Sequence, residues 1–63
     1  MTPREQMVEI ARGNVERFLE IGEDGDIYEE AYTLAIDALH DAGYQGQEAV
    51  DVAVILAMSY ANP

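Results

Sequence analysis

The chain has 63 residues, no cysteine and a formal net charge of −10, with 13 acidic residues against three arginines and no lysine. A chain of this length forms a single domain of marginal stability, and it has neither disulfides nor a thiolate zinc site to support a small core. The charge argues against direct contact with nucleic-acid phosphates or anionic membrane surfaces. Together with the polar segment 1–6, which lacks the apolar core of a secretion signal, it predicts a soluble, cytoplasmic protein.

The segment Thr2-Pro3-Arg4-Glu5 has the pattern of a capping box and predicts the start of a helix. Apolar residues then recur with the helical period, so we expect the first helix at residues 3–21. Gly13, in its interior, costs about 1 kcal/mol relative to Ala and would permit a kink or a close helix contact. Four carboxylates fall in a narrow strip opposite the apolar side and form a predicted acidic face: Glu5, Glu9, Glu16 and Glu20.

Gly22 is expected to end the first helix, and Asp26 to act as the N-cap of a second helix at 26–42. Its apolar side contains several alanines, which suggests that another helix approaches closely. The dipeptide Gly43-Tyr44 predicts a Schellman-type stop, with Gly43 in the left-handed conformation and Tyr44 folded back on the helix.

The third segment, 47–61, has an apolar arc that covers about two-thirds of the helical wheel. Several β-branched residues leave a strand open as an alternative, but no other segment of the chain could pair with a strand. We expect a helix that is either sandwiched between the other two or uses part of its apolar surface between chains. The predicted protein interface consists of Val52, Ile55, Leu56, Met58 and Tyr60.

Two groups of residues invite a chemical interpretation. An acidic cluster around Gly25 has oxygen donors suited to calcium and consists of Asp24, Asp26, Glu29 and Glu30. Helix capping explains these residues, and their spacing does not match an EF-hand loop. His40 has carboxylates nearby, yet Ser59, the nearest nucleophile in type, lacks a group to orient it. We therefore predict no enzyme activity and no catalytic, cofactor or metal site.

These observations predict an all-α fold, a small three-helix bundle with short turns, and they leave dimerisation through the third helix open. The expected function is that of a non-enzymatic accessory or inhibitory factor, as found in phages and plasmids, which docks on another protein or on itself through the third helix. The alternative is a nucleic-acid mimic whose acidic helix faces occupy the basic cleft of a DNA- or RNA-binding protein.

Overall fold

A computed structural model describes residues 2–20 and 26–62 of the chain. The described residues form three helices, namely α1 (Pro3–Phe18), α2 (Ile27–Asp41) and α3 (Gln47–Ala61), and contain no strand. Each helix packs against both others. The prediction of a small all-α three-helix bundle is confirmed, and the strand alternative for the third segment is wrong.

The start of α1 shows how closely local sequence sets a helix boundary. The Thr2 hydroxyl accepts a hydrogen bond from the Glu5 amide at 3.2 Å, and the Glu5 carboxylate accepts one from the Thr2 amide at 3.4 Å. Pro3 occupies the first helical position. The predicted capping box is therefore present, and it satisfies amides that the first helical turn leaves without partners.

The end of α1 differs from the prediction, because the helix stops at Phe18 and not at residue 21. Leu19 takes an extended conformation, with ψ at 120°. The next amide, that of Glu20, donates to the Glu30 carboxylate at 2.9 Å. A side chain of α2 thus supplies the acceptor that another turn of α1 would have supplied. The predicted role of Gly22 lies outside the described residues.

Both ends of α2 form as expected. The Asp26 carboxylate accepts a hydrogen bond from the Glu29 amide at 3.2 Å and caps the helix. At the other end, Gly43 has φ at +95°, its amide donates to the His40 carbonyl at 3.0 Å, and the Tyr44 amide donates to the Leu39 carbonyl at 2.8 Å. This is the Schellman pair of hydrogen bonds, and it turns the chain toward α3.

The core is made mainly of small side chains. Among the residues that the structure describes, eleven apolar ones are buried; six of these are alanines and five are larger. Small side chains allow helix axes to approach closely, and α2 and α3 form the most extensive of the three helix pairs. The core residues are Met7, Ala11, Val15, Ala31, Ala35, Leu39, Ala49, Val52, Ala53, Leu56 and Ala57.

The Gly13-Asn14 pair does not interrupt α1. A Cβ atom added at Gly13 would meet nothing within 4 Å, so no close helix contact requires this glycine. Asn14 is half-buried, and its side-chain amide donates to the Leu34 carbonyl of α2 at 2.8 Å. The asparagine therefore links α1 to α2.

Candidate protein-docking surface

The face of α3 that packs in the bundle includes two residues that the sequence assigned to an intermolecular interface. Val52 and Leu56 are only 1% and 6% exposed within the single chain. They lie with the alanines of α3 in the core. This part of the predicted interface is corrected, because the wide apolar arc of α3 is needed to contact both α1 and α2.

The opposite face of α3 leaves two large apolar side chains in solvent. Ile55 is 56% exposed and Met58 is 52% exposed. A spacing of three residues makes them neighbours on one side of the helix. Glu48 and Asp51 are also exposed, and they continue the same line toward the start of α3. We call these four residues the α3 stripe; at about 1.5 Å per residue it is roughly 15 Å long.

α2 and α3 form the most extensive helix pair of the bundle, and the formal charges that they carry around the α3 stripe are all negative. Every arginine precedes α2 in the sequence, at positions 4, 12 and 17. Asp51 is exposed and accepts a hydrogen bond from the Gln47 side-chain amide at 2.9 Å. On α2, Asp37 and Asp41 are exposed as well. No cation of α2 or α3 neutralises these carboxylates.

Tyr60, the last residue of the predicted interface, belongs to the bundle more than to the α3 stripe. It is half-buried and packs against the core. Burial raises the pKa of its phenol, and the nearby Glu16 carboxylate raises it further by its charge and as a hydrogen-bond acceptor, while Arg12 acts in the opposite direction. Tyr60 therefore connects the end of α3 with α1.

Three of the four residues of the predicted acidic face lie on α1. Glu5, Glu9 and Glu16 are exposed on the helix. Glu20 is also exposed but follows the end of α1, so it does not extend the helical strip. Glu9 also lines an open groove between α1 and the end of α2, where Arg17 and Asp41 lie as well.

The groups considered for chemistry remain separate. Asp24 and Gly25 of the acidic cluster lie outside the described residues, and within them no three metal-binding side chains come together. Asp26 caps α2, and Glu30 accepts from the Glu20 amide. His40 is exposed on the last turn of α2.

Two exposed aromatic residues were not anticipated as surface features. Phe18 is 55% exposed at the end of α1, although its helical phase places it on the apolar side. Tyr28 is 37% exposed, and its ring stacks on that of Tyr32 with centroids 6.5 Å apart. The sequence signal for this exposure is that both residues lie near the end of a helix, where the neighbouring helices do not cover every side.

Comparison with protein-family models, curated proteins and solved structures yields no match to this chain. Among the helices of the described residues, none combines the length and the apolar character needed to cross a membrane. The function must therefore be inferred from the residues themselves.

Proposed function

We propose that the protein is a non-enzymatic interaction factor, accessory or inhibitory in role, that docks on another protein through the α3 stripe. The observation that carries the proposal is the exposure of Ile55 and Met58 side by side, while Val52 and Leu56 on the same helix are fully used by the core. Adjacent large apolar side chains in solvent are a common property of docking surfaces.

Docking would act by occupying a surface of the partner. Each of the two side chains still exposes about half of its area, and covering that area contributes roughly 1 kcal/mol per side chain. Because both project from a helix that the core holds in place, the backbone that carries them loses little conformational freedom on binding. Binding of this kind requires no chemical step.

Site-specific photo-crosslinking tests the proposal directly. A photoreactive amino acid replaces Ile55 in one variant and Thr33, an exposed residue of α2, in a matched control. Irradiation in cells of the source organism is expected to yield one discrete cross-linked protein from position 55 and none, or far less, from position 33. Equal yields of the same product from both positions would contradict docking through α3.

A second candidate, nucleic-acid mimicry, is favoured by the exposed carboxylates of Glu5, Glu9 and Glu16 along one side of α1. Such a row could replace part of a phosphate backbone in a basic cleft. The exposed carboxylates of α2 and α3 add to the overall negative field.

Variants distinguish the two candidates once a partner has been cross-linked. Mimicry predicts that Glu9→Gln/Glu16→Gln weakens binding and that affinity falls steeply as salt is raised. Docking through α3 predicts that Ile55→Gln/Met58→Gln weakens binding at least about tenfold and that much of the affinity persists at high salt. The α1 double variant then serves as the control for the α3 double variant.

A further inference from the structure

We infer that the occupant of the α3 stripe is a basic amphipathic helix of the partner, which packs apolar side chains on Ile55 and Met58 and directs Lys or Arg to Glu48 and Asp51. The inference rests on the proposed docking function and adds the chemistry of the partner to it.

The shape of the α3 stripe favours a helix as the occupant. Its residues occur at positions 48, 51, 55 and 58, the spacing that forms one straight ridge along a helix. Ridges of this kind pack into the groove between side-chain rows of a second helix lying alongside. A length of roughly 15 Å corresponds to about three turns, which a short amphipathic segment can cover.

The charge of the α3 stripe determines the sign of the partner. Glu48 and Asp51 are exposed at one end, and neither α2 nor α3 contains an arginine or a lysine. A partner with Glu or Asp at the matching positions would bring like charges together at a partly desolvated contact. Lys or Arg there would instead pair with carboxylates for which α2 and α3 supply no cation.

A second copy of the chain fits the α3 stripe less well. It would bring a further net charge of −10 to the same surface. A stable dimer of ordinary size buries about 800 Å² on each partner. The whole chain exposes 4295 Å², and a row of four residues cannot supply nearly one fifth of it. A short helix requires a smaller contact than a folded copy.

Calorimetric titration of the full chain with two synthetic peptides tests the inference. Both peptides carry the same leucine stripe at helical spacing; one has Lys beside the stripe and the other has Glu. Three double variants are compared with the native chain: Ile55→Gln/Met58→Gln, Glu48→Gln/Asp51→Asn, and the matched charge control Glu9→Gln/Glu16→Gln. The control residues are exposed carboxylates of α1 and do not belong to the α3 stripe.

The Lys peptide is expected to bind the native chain, and the Glu peptide is expected to bind at least about tenfold more weakly. The apolar variant should weaken binding of the Lys peptide about tenfold, and the α3 charge variant about three- to tenfold. The charge control should change the affinity less than about twofold, because its carboxylates lie elsewhere. Helix content by circular dichroism should be the same for all four proteins.

Each contrary result overturns a different statement. If the Lys peptide fails to bind, or if the two charge variants reduce its affinity equally, the α3 stripe does not recognise a basic helix. If the Glu peptide binds as well as the Lys peptide, while the apolar variant weakens both, docking through α3 stands and the basic partner is wrong. If the apolar variant binds normally, the proposed function fails with the inference. A native dimer in sedimentation analysis that Ile55→Gln/Met58→Gln dissociates would make a second copy the occupant.

Discussion

The side-chain amide of Asn14 on α1 donates a hydrogen bond to the backbone carbonyl of Leu34 on α2, across 2.8 Å. This contact joins positions 20 residues apart in the sequence, and Asn14 is half-buried. It fixes how far α1 is displaced along α2, since a shift by one residue would move the carbonyl out of reach.

Replacing Asn14 with Asp tests this contact with little change in size or helix propensity. The carboxylate cannot donate to the Leu34 carbonyl and would face its partial negative charge, so we expect a loss of about 2 kcal/mol at neutral pH. The introduced carboxyl should have a raised pKa in the folded state. The loss should therefore shrink as the pH falls and the group becomes protonated, when each variant is compared with the native chain at the same pH.

Urea unfolding followed by circular dichroism measures this difference, and Asn14→Ala is the control because it removes the donor without adding a charge. If Asn14→Asp has a lower free energy of unfolding than Asn14→Ala and this difference does not become smaller at acidic pH, the hydrogen bond does not have the role assigned to it.

The two glycines at positions 13 and 43 should respond in opposite directions to substitution by alanine. At neither position would the added Cβ meet an atom of another part of the protein within 4 Å, so backbone conformation decides the outcome. Gly13 lies within α1, and Gly13→Ala should stabilise the protein by about 0.5 to 1 kcal/mol. Gly43 has φ at +95°, and Gly43→Ala should destabilise it by about 1 to 2 kcal/mol. Denaturant midpoints of the two variants provide the comparison, and a change of the same sign in both would contradict this account.

The two sides of α3 should differ sharply in their tolerance of substitution. Leu56 is 6% exposed, so Leu56→Ala should cost about 2 to 4 kcal/mol, and Leu56→Glu should leave the chain unfolded. Ile55 is 56% exposed, and Ile55→Glu should leave the helix content almost unchanged. Circular dichroism with light scattering separates the outcomes. A folded monomer of Leu56→Glu would place Leu56 between chains and not in the core.

Alkaline pH should weaken the fold through Tyr60. The pKa of its phenol is raised above 10.0 in the folded state, so the unfolded chain loses this proton first as the pH increases. The contribution of the protonated Tyr60 phenol to the free energy of unfolding is fully present below pH 10.0 and is lost as the pH rises through the folded-state pKa. Tyr60→Phe should remove this part of the decline, whereas Tyr28→Phe, at an exposed position, should retain it. If the free energies of unfolding of the two variants change in parallel above pH 10.0, the decline is not due to Tyr60.

The sequence predicted those features that depend on neighbours along the chain. The caps at Thr2 and Asp26 and the stop at Gly43 each involve residues within five positions of one another, and all three formed as expected. The bounds 47–61 of the third helix also agree with α3.

Features that depend on distant residues could not be predicted in the same way. The end of α1 depends on the Glu30 carboxylate, which only the folded bundle brings to the Glu20 amide. Likewise, the apolar arc of α3 does not by itself show which side the other helices cover. That choice placed Val52 and Leu56 in the core and left Ile55 and Met58 exposed.

The restriction of every arginine to α1 gives the molecule an uneven distribution of charge. Within α1 three arginines balance three glutamates, whereas α2 and α3 contain carboxylates and no arginine or lysine, which makes the bundle an electric dipole as well as an anion. In the field of a positively charged surface such a body experiences a torque before it makes contact. Encounters would therefore begin with α2 and α3 turned toward that surface, and the approach itself would select the orientation in which the exposed pair on α3 can be reached.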